Sequence, residues 1–469
     1  AWAKAGRGAE GARRSERLLN RLDSLYEKLG YDDLRPNPLT FGAVIDAWAK
    51  ADDKHESAEH AESFLDRMEE LFLYSREKIN KREMISNVAY NLVIDAWSRR
   101  QGNVTADRAK NILRRLESNY QLTNNSSLRP DVISYTGVMK AYVNHPDGGK
   151  KALEILDEMN DQYRDGNARA RPDMKCISVA MDACAKSGLT SEAERLLNDI
   201  DDSKKNCLMF NTIISGYTSE GRGSEADAVL RRMISLSENE GWERCSPDLI
   251  SYTLCLRAWG NGTSQERVLR ARALLDECIR RYQSGDKRCK PSDVIFNDFA
   301  DIVSNSDEIK RETDVLALFE KMESIGCEPS LISFNILIKT CAKCANGTDR
   351  SDERKRNALQ IAASAFNSLP SVGLRADSVT YTGMMHVLLN LMDNSTEKMS
   401  AIGRIFRQCC NEGYLNQHIL NILAAAISED DMMAITGVSS IEEASTLNHL
   451  PPEWNQKSSR DATAKQQYF

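Results

Sequence analysis

Three short patterns in this chain have residue types and spacing that could do chemistry. Cys341 and Cys344 form a CxxC pair of the kind that binds zinc, but no second pair accompanies them. His60 and Glu62 have the His-x-Glu spacing of zinc deaminases, although the proline that precedes the CxxC of those enzymes is missing. Gly148 opens a Gly-Gly-Lys-Lys run without the preceding strand and earlier glycine of a phosphate loop. We therefore expect no enzyme activity, no cofactor, no metal and no small-molecule substrate.

A different set of residues recurs along the chain at helical offsets. Nine times, one residue begins a stripe of apolar residues at i, i+3, i+4 and i+7, as in Tyr90, Val93, Ile94 and Trp97. This spacing puts four side chains on one face of a helix. We call the nine first residues the anchors: Phe41, Tyr90, Tyr135, Ile177, Phe210, Tyr252, Phe296, Phe334 and Tyr381.

A second apolar stripe follows each anchor stripe and opens on a small residue, as at Ala109, Ala152 and Ala193. A small residue there lets two helices approach closely, so each unit is predicted to be an antiparallel helix pair. Anchors are separated by as few as 33 residues (Ile177 to Phe210) and as many as 49 (Phe41 to Tyr90). A unit of about 34 residues thus carries polar insertions, such as residues 76–83 and 164–171, which suit surface loops and helix ends. Stacked repeats of this kind form an all-α solenoid.

Composition limits the classes of function that the chain can have. It has 469 residues, 41% hydrophobic and 28% charged, with a formal net charge of −7. No apolar run has the ~18 residues of a membrane span. The acidic balance argues against an indiscriminate polyanion binder but allows a narrow basic groove. The twelve cysteines are spread singly, and we expect those at stripe positions to be buried reduced thiols: Cys184, Cys255, Cys278 and Cys341.

The stripes divide the chain into four segments. Residues 1–37 are predicted to be a partial N-terminal repeat, 38–415 nine helix-pair repeats, 416–427 a capping helix, and 428–469 a polar tail. We expect the tail to be mostly loop, with one docked turn around residues 450–454. Residues 1–4 repeat the Ala-Trp-Ala-Lys of residues 47–50, so we expect the chain to begin part-way along a first helix, with any targeting peptide outside it.

A second pattern surrounds the anchors, and helix packing alone would not require it. Residues 129–136 are Arg-Pro-Asp-Val-Ile-Ser-Tyr-Thr, and residues 246–253 are Ser-Pro-Asp-Leu-Ile-Ser-Tyr-Thr. These phrases closely resemble the pentatricopeptide repeat family, whose units have Pro-Asp, two apolar residues, Thr-Tyr-Asn and then a stripe. The resemblance covers residues 1 to about 426; the long insertions and the anchor Ile177, which is not aromatic, depart from it.

The resemblance implies a right-handed α-solenoid of antiparallel helix pairs whose first helices line a concave groove. It also implies binding of single-stranded RNA in mitochondria or plastids, where such proteins stabilise, process or help translate transcripts. Other RNA-processing proteins would be further partners, and no membrane would be involved.

Two positions in each repeat are restricted to small polar residues. Eight of the nine residues directly after the anchors are Asn, Thr or Ser, which are mediocre helix formers. They could be first-turn caps. The resemblance instead implies that each, with the residue four before the next anchor, hydrogen-bonds one base edge. These base-edge residues are Asn91, Asp131, Thr136, Asp173, Ser178, Asn206, Asn211, Asp248, Thr253, Ser292, Asn297, Ser330, Asn335 and Asp377.

A third position, two residues before each anchor, is aliphatic in eight of nine repeats. The resemblance implies that these residues clamp the bases between neighbouring repeats, whereas hydrophobic staples at helix starts are the alternative. Lys175 is the exception and could contact a phosphate. The clamp residues are Val88, Ile133, Lys175, Leu208, Ile250, Val294, Ile332 and Val379.

The pairing rule of the family implies a preferred RNA core of U-G-A-U-purine-C-U.

Two alternatives to a pentatricopeptide-like RNA-binding protein remain open. Tetratricopeptide repeats are also helix pairs, but their Trp…Leu-Gly…Tyr pattern is not found here. A helical-repeat scaffold for proteins is the other alternative, which the acidic charge favours. A uniformly acidic groove would support the scaffold.

Overall fold

The computed structural model describes residues 8–51, 56–73, 85–100, 102–306, 311–346, 351–393 and 396–457. Those residues form 22 α-helices and no strand. The all-α fold is therefore confirmed. The expected helix remnant at residues 1–4 and the insertion at residues 76–83 lie outside the described residues.

The helices divide between two compact units. Unit 1 comprises Ala1–Glu220 and Glu225–Ser246, and unit 2 comprises Gly221–Ser224 and Pro247–Phe469. The helices of unit 1 are α1 (Ala9–Leu29), α2 (Pro38–Ala49), α3 (Ser57–Phe72), α4 (Asn87–Ser98), α5 (Asn103–Thr123), α6 (Val132–Tyr142), α7 (Gly148–Arg164), α8 (Met174–Lys186), α9 (Thr190–Asn198), α10 (Cys207–Glu220) and, from Glu225 onward, α11 (Gly223–Glu238).

Unit 2 continues the same alternation of first and second helices. Its helices are α12 (Leu249–Asn261), α13 (Arg267–Gln283), α14 (Asp293–Ser304), α15 (Arg311–Ser324), α16 (Leu331–Ala342), α17 (Asp352–Ser368), α18 (Ser378–Leu391), α19 (Thr396–Glu412), α20 (Gln417–Ala426), α21 (Glu429–Thr436) and α22 (Ile441–Ser445).

Within each unit the helices pack as stacked pairs. In unit 1 the first helices α2, α4, α6 and α8 each pack against their own second helix, and α2, α4, α6, α8 and α10 also pack in succession against one another. In unit 2 the first helices α12, α14, α16, α18 and α20 form the same kind of continuous layer. Each unit is therefore a run of helix pairs whose first helices share one layer.

The anchors lie in the core between the helices of a pair. Eight of them are no more than 6% exposed, and only Ile177, the least bulky, is half-buried. Three of the buried tyrosine anchors also donate hydrogen bonds from their hydroxyl groups: Tyr90 to Glu69 at 2.5 Å, Tyr135 to Glu117 at 3.0 Å and Tyr252 to Glu277 at 3.1 Å. These three tyrosines thus link first helices to second helices without leaving a polar atom unpaired.

The three short patterns that could have indicated catalysis or metal binding instead contribute to packing. His60 stacks on Trp48 with ring centroids 4.2 Å apart. A Cβ on Gly149 would lie 2.8 Å from Cys184 Cα, so the glycine lets α7 approach α8 closely. Cys344 is buried and donates to Glu312 Oε2 at 3.1 Å. Where the chain is described, no group of three or more His, Cys, Asp or Glu side chains could hold a metal ion.

The cysteines at stripe positions are buried, as predicted. Cys184, Cys255, Cys278 and Cys341 are each fully buried free thiols. Burial raises the pKa of the Cys184 thiol to about 11, so the sulfur remains protonated near neutral pH.

The C-terminal region differs in part from the expectation. The predicted capping helix at 416–427 spans Gln417–Ala426, but the next residues form α21 and α22, so the expectation of mostly loop is wrong. Ser428 and Ser440 cap these two helices, and acidic residues fill their first turns, which stabilises short helices that lack an apolar stripe. The docked turn is confirmed: the Trp454 ring packs edge-on against Phe406, 6.1 Å between centroids.

Candidate nucleic-acid interface

The predicted base-edge residues occupy the same two helical positions in every repeat. The residue after the anchor is the fifth residue of its first helix, as for Asn91 in α4, Thr136 in α6 and Asn335 in α16. The residue four before the anchor directly precedes the helix, as Asp131 and Asp377 do. The fifth residue is beyond the first turn, so it is not a helix cap.

Helix capping belongs to the other base-edge position. Asp131 Oδ1 accepts from the backbone N–H groups of Ile133 and Ser134, both at 3.0 Å. Asp173 and Asp377 likewise accept from the N–H of the third helical residue, both at 2.8 Å. The interpretation as first-turn caps is therefore wrong for the residue after the anchor and applies to the residue four before it. Capping also fixes the orientation of these carboxylates.

Two base-edge pairs of Asn and Asp are joined by direct hydrogen bonds across adjacent repeats. In unit 1, Asn91 Nδ2 donates to Asp131 Oδ1 at 3.1 Å, and Ser134 Oγ donates to Asn91 Oδ1 at 2.6 Å. In unit 2, Asn335 Nδ2 donates to Asp377 Oδ1 at 3.2 Å, and Thr380 Oγ1 donates to Asn335 Oδ1 at 2.7 Å. The side-chain amides are thereby held in one orientation.

Other base-edge residues make different contacts. Asn297 Nδ2 lies 3.4 Å from Ser330 Oγ, a long hydrogen bond. Hydroxyl groups after the anchors donate to the backbone carbonyl four residues earlier, at 2.6 Å for Thr136, 2.8 Å for Ser178 and 2.7 Å for Thr253. Since the hydroxyl hydrogen is used in this way, these side chains present acceptor lone pairs to a ligand.

The aliphatic clamp residues are exposed, each as the second residue of its first helix. Their exposed fractions range from 43% for Val379 to 74% for Leu208. A hydrophobic staple would be buried against the helix that it precedes. The staple alternative is therefore not supported, and each repeat instead presents an apolar side chain to solvent beside its base-edge residue. Lys175 is exposed as well.

Cavities lie where neighbouring repeats bring these positions together. One of about 410 Å³ in unit 1 is lined by Asn91 and Asp131 together with Val88 and Ile133. Another, of about 700 Å³ in unit 2, has the same arrangement. Its matching residues are Asn335, Asp377, Ile332 and Val379. Each cavity is thus lined by a hydrogen-bonding pair and by two aliphatic side chains.

Comparison with known families accounts for this repeated geometry. The family model described as PPR repeat matches residues 178–204 and 208–237, and the Pentatricopeptide repeat domain model matches residues 289–344. These matched stretches of the chain are therefore pentatricopeptide repeats.

Similar proteins of Arabidopsis thaliana share this description. One pentatricopeptide repeat-containing protein is 22% identical over 287 residues, covering 52% of this chain and 34% of the relative. A second, described as chloroplastic, is 23% identical over 217 residues, covering 44% of this chain and 24% of the relative. The chain thus spans about a third or less of the length of these relatives. The crystal structure of the pentatricopeptide repeat protein PPR10 from maize matches with a TM-score of 0.50 and 16% identity, over 99% of this chain and 72% of that one, which shows the helical-repeat fold.

Charged side chains that the sequence patterns did not single out line the same two cavities. The fifth residue after the anchor is Lys140 in one repeat of unit 1, and Lys339 and His386 in two repeats of unit 2. Their periodic spacing from the anchors was a signal in the sequence. Because lysines stand beside the aspartates, the first-helix layer of these repeats is not uniformly acidic, and the feature that would favour a protein scaffold is missing there.

The cavity in unit 2 also holds two basic groups whose protonation is perturbed. Burial lowers the pKa of His386 below its usual value, and the charge of His418 lowers it further. Burial also lowers the pKa of Lys343, with Lys339 adding to the effect. An anion in this cavity would offset both shifts, because it favours the protonated forms.

Among the helices that the structure describes, none is both long and apolar enough to span a bilayer.

Proposed function

We propose that this protein binds single-stranded RNA along its first helices, with one base for each repeat and without turnover. The observation that supports this most is the cavity at Asn91 and Asp131. There a fixed amide and carboxylate line the same cavity as two exposed aliphatic side chains, Val88 and Ile133. A nucleobase is flat and apolar on its faces and polar only at its edge, so it matches such a cavity in both respects.

Hydrogen-bond chemistry supports a different preference at different repeats. An Asn amide carries a donor and an acceptor, a hydroxyl bonded to a carbonyl carries acceptors, and a carboxylate carries acceptors only. Each base edge has its own pattern of donors and acceptors once it is unstacked. We propose the preferred core U-G-A-U-purine-C-U, beginning at the pair of Asn91 and Asp131 and ending at the pair of Asn335 and Asp377.

Apolar and basic groups would supply the affinity that does not depend on sequence. Exposed clamp side chains such as Ile332 and Val379 would bury base faces, and each apolar contact would be favourable in proportion to the area removed from water. Lys140 and Lys339 would neutralise backbone phosphates and release counterions.

The biological role that we propose is to occlude or remodel a segment of an organellar transcript and thereby stabilise it, process it or help its translation. A mitochondrion or a plastid is the proposed location, and the similarity to a chloroplastic relative supports an organelle. Other RNA-processing proteins would be partners in this work.

Fluorescence anisotropy with labelled oligonucleotides tests the proposal. The RNA U-G-A-U-A-C-U, flanked by the same spacer on each side, should bind at least about tenfold more tightly than a scrambled RNA of the same composition, because two mismatched contacts cost over 1.4 kcal/mol. The same sequence in a duplex should bind weakly. Equal affinity for all these RNAs, or none, would contradict the proposal and favour a protein scaffold.

A further inference from the structure

Two of the three base-edge pairs that consist of Asn and Asp differ in one neighbouring residue. The helix that carries Asn91 begins with Asn87, and the helix that carries Asn335 begins with Leu331. Both helices follow a serine N-cap, and the next repeat supplies Asp131 or Asp377, each preceded by an arginine two residues earlier. At the start of the helices that carry Asn91 and Asn335, the main difference is therefore the residue at the first helical position, which is Asn87 in one and Leu331 in the other.

Asn87 reaches across to the carboxylate of the following repeat. Its Nδ2 donates to Asp131 Oδ2 at 2.8 Å and to the backbone carbonyl of Arg129 at 3.1 Å, and the side chain is only 7% exposed. Both hydrogens of the amide are thus used.

This contact completes the hydrogen bonding of Asp131. Its Oδ1 already accepts from Asn91 and from the helix N-terminus, and Oδ2 accepts from Asn87. Asp377 Oδ1 accepts equivalent bonds from Asn335 and Thr380. Its Oδ2 accepts none from the residues that the structure describes, and Asp377 lines the cavity.

We infer that residue 87, at the first position of its helix, is a specificity-determining residue that weakens base discrimination at the neighbouring pair; this inference rests on the proposed function. A carboxylate oxygen without a donor attracts the ring N–H of uracil and repels the ring nitrogen acceptor that cytosine places there. An oxygen that already accepts a hydrogen bond from Asn87 attracts the uracil N–H and repels the cytosine nitrogen less strongly. Uracil should therefore be separated from cytosine more sharply at the Asn335–Asp377 pair than at the Asn91–Asp131 pair.

Reciprocal substitutions test the inference, with U and C placed at the first or last position of the core RNA. Asn87→Leu should raise the preference for U over C at the first position by about tenfold, because a hydrogen bond to a charged group is worth that much. Leu331→Asn should lower the preference at the last position by a similar factor. Each variant should leave the preference at the other position unchanged.

One result would overturn this inference alone, and a different result would overturn the proposed function. If the variants retain the wild-type melting temperature and bind RNA with unchanged preferences at both positions, residue 87 has no role in specificity. If Asn87→Leu fails to fold because the Arg129 carbonyl loses its donor, Leu331→Asn still tests the inference through the preference for U over C at the last position. A wild-type protein without base preference at any position would refute the proposed function itself, and this inference with it.

Discussion

The Asn91–Asp131 pair in unit 1 and the Asn335–Asp377 pair in unit 2 consist of the same residues in different surroundings. The first cavity contains three aspartates, Asp95, Asp131 and Asp173, beside Lys140 and Lys175. The second contains the single aspartate Asp377 beside Lys339, Lys343 and His386. Identical base-edge residues thus sit in an acidic cavity in one unit and in a basic cavity in the other. Under the proposed function, preference for a base and affinity for the RNA backbone would therefore be set by different residues.

The largest expected effect concerns stability, because the geometry of both cavities depends on buried anchors. Tyr135→Ala should lower the free energy of unfolding by about 3–5 kcal/mol, since it removes a fully buried aromatic ring. Stability in stacked repeats is transmitted mainly between neighbours, so hydrogen exchange should accelerate most in α4 to α8 and less in α16 to α18. Tyr163→Ala, at a 43% exposed tyrosine, is the control. An unchanged melting temperature for Tyr135→Ala would show that the anchor does not support the first cavity.

Basic residues of the second cavity should control the salt dependence of RNA binding. Replacing Lys339 and Lys343 together by Gln should weaken binding of all RNA sequences and reduce the slope of log affinity against log salt by about 1.4, or ~0.7 for each phosphate that is no longer neutralised. Lys321→Gln, on the second helix α15, is the control and should change neither quantity. The Lys140 and Lys175 double variant should show a smaller effect, because Asp95, Asp131 and Asp173 line the same cavity and repel phosphate groups. A larger change in salt dependence for the Lys140 and Lys175 variant would contradict the expectation that the second cavity contributes more to binding the RNA backbone.

The clamp residues should act alike in both cavities, because their exposure is similar. Ile332→Ser and Ile133→Ser should each reduce RNA affinity by about 1–2 kcal/mol, on the scale of burying one aliphatic side chain. Neither should lower the melting temperature, since both side chains are at least 60% exposed in the free protein. Loss of stability with unchanged RNA affinity would restore the staple interpretation.

His386 should give the smallest effect, a pH dependence confined to the second cavity. Its pKa lies below the usual 6.5, so the ring is neutral near pH 7 and becomes charged only at lower pH. RNA affinity should therefore increase by about twofold as the pH falls through this lowered pKa, in line with ~0.5 kcal/mol for a partly exposed ion pair. The same depressed pKa means that acidification below pH 6.5 destabilises the free protein, because the unfolded chain binds the proton more readily. His386→Asn should remove the increase in affinity, and a persisting increase would assign it to another group.

Much of the fold and of the candidate interface could be predicted from local patterns. Stripes starting at residues such as Tyr90 and Tyr135 predict helix pairs, because the apolar spacing itself requires burial on one face. Counting from the same anchors places Asn91 at the fifth position of its helix and Asp131 at the N-cap of the next repeat's first helix. Short helices such as α21 were missed, because capping by Ser428 and acidic residues, rather than an apolar stripe, stabilises them.

Contacts across repeats could not be predicted in the same way. Asn87 and Asp131 are 44 residues apart in sequence, and their hydrogen bond depends on how neighbouring helices are aligned. Whether Lys140 and Lys339 share a cavity with base-edge residues also depends on this alignment. Sequence patterns therefore identify the residues at each position, while the structure shows which neighbours modify them.

Random-pool RNA selection on the wild type and on Thr136→Asn tests the central claim most directly, namely that paired residues on successive first helices each select one base. The wild type should enrich the core U-G-A-U-purine-C-U. Thr136→Asn should change the second position from guanine to uracil, by about 1–3 kcal/mol as for good base-edge contacts, and leave the neighbouring positions as they were. Identical motifs from the two proteins, or no motif above a polyanion control, would contradict the claim.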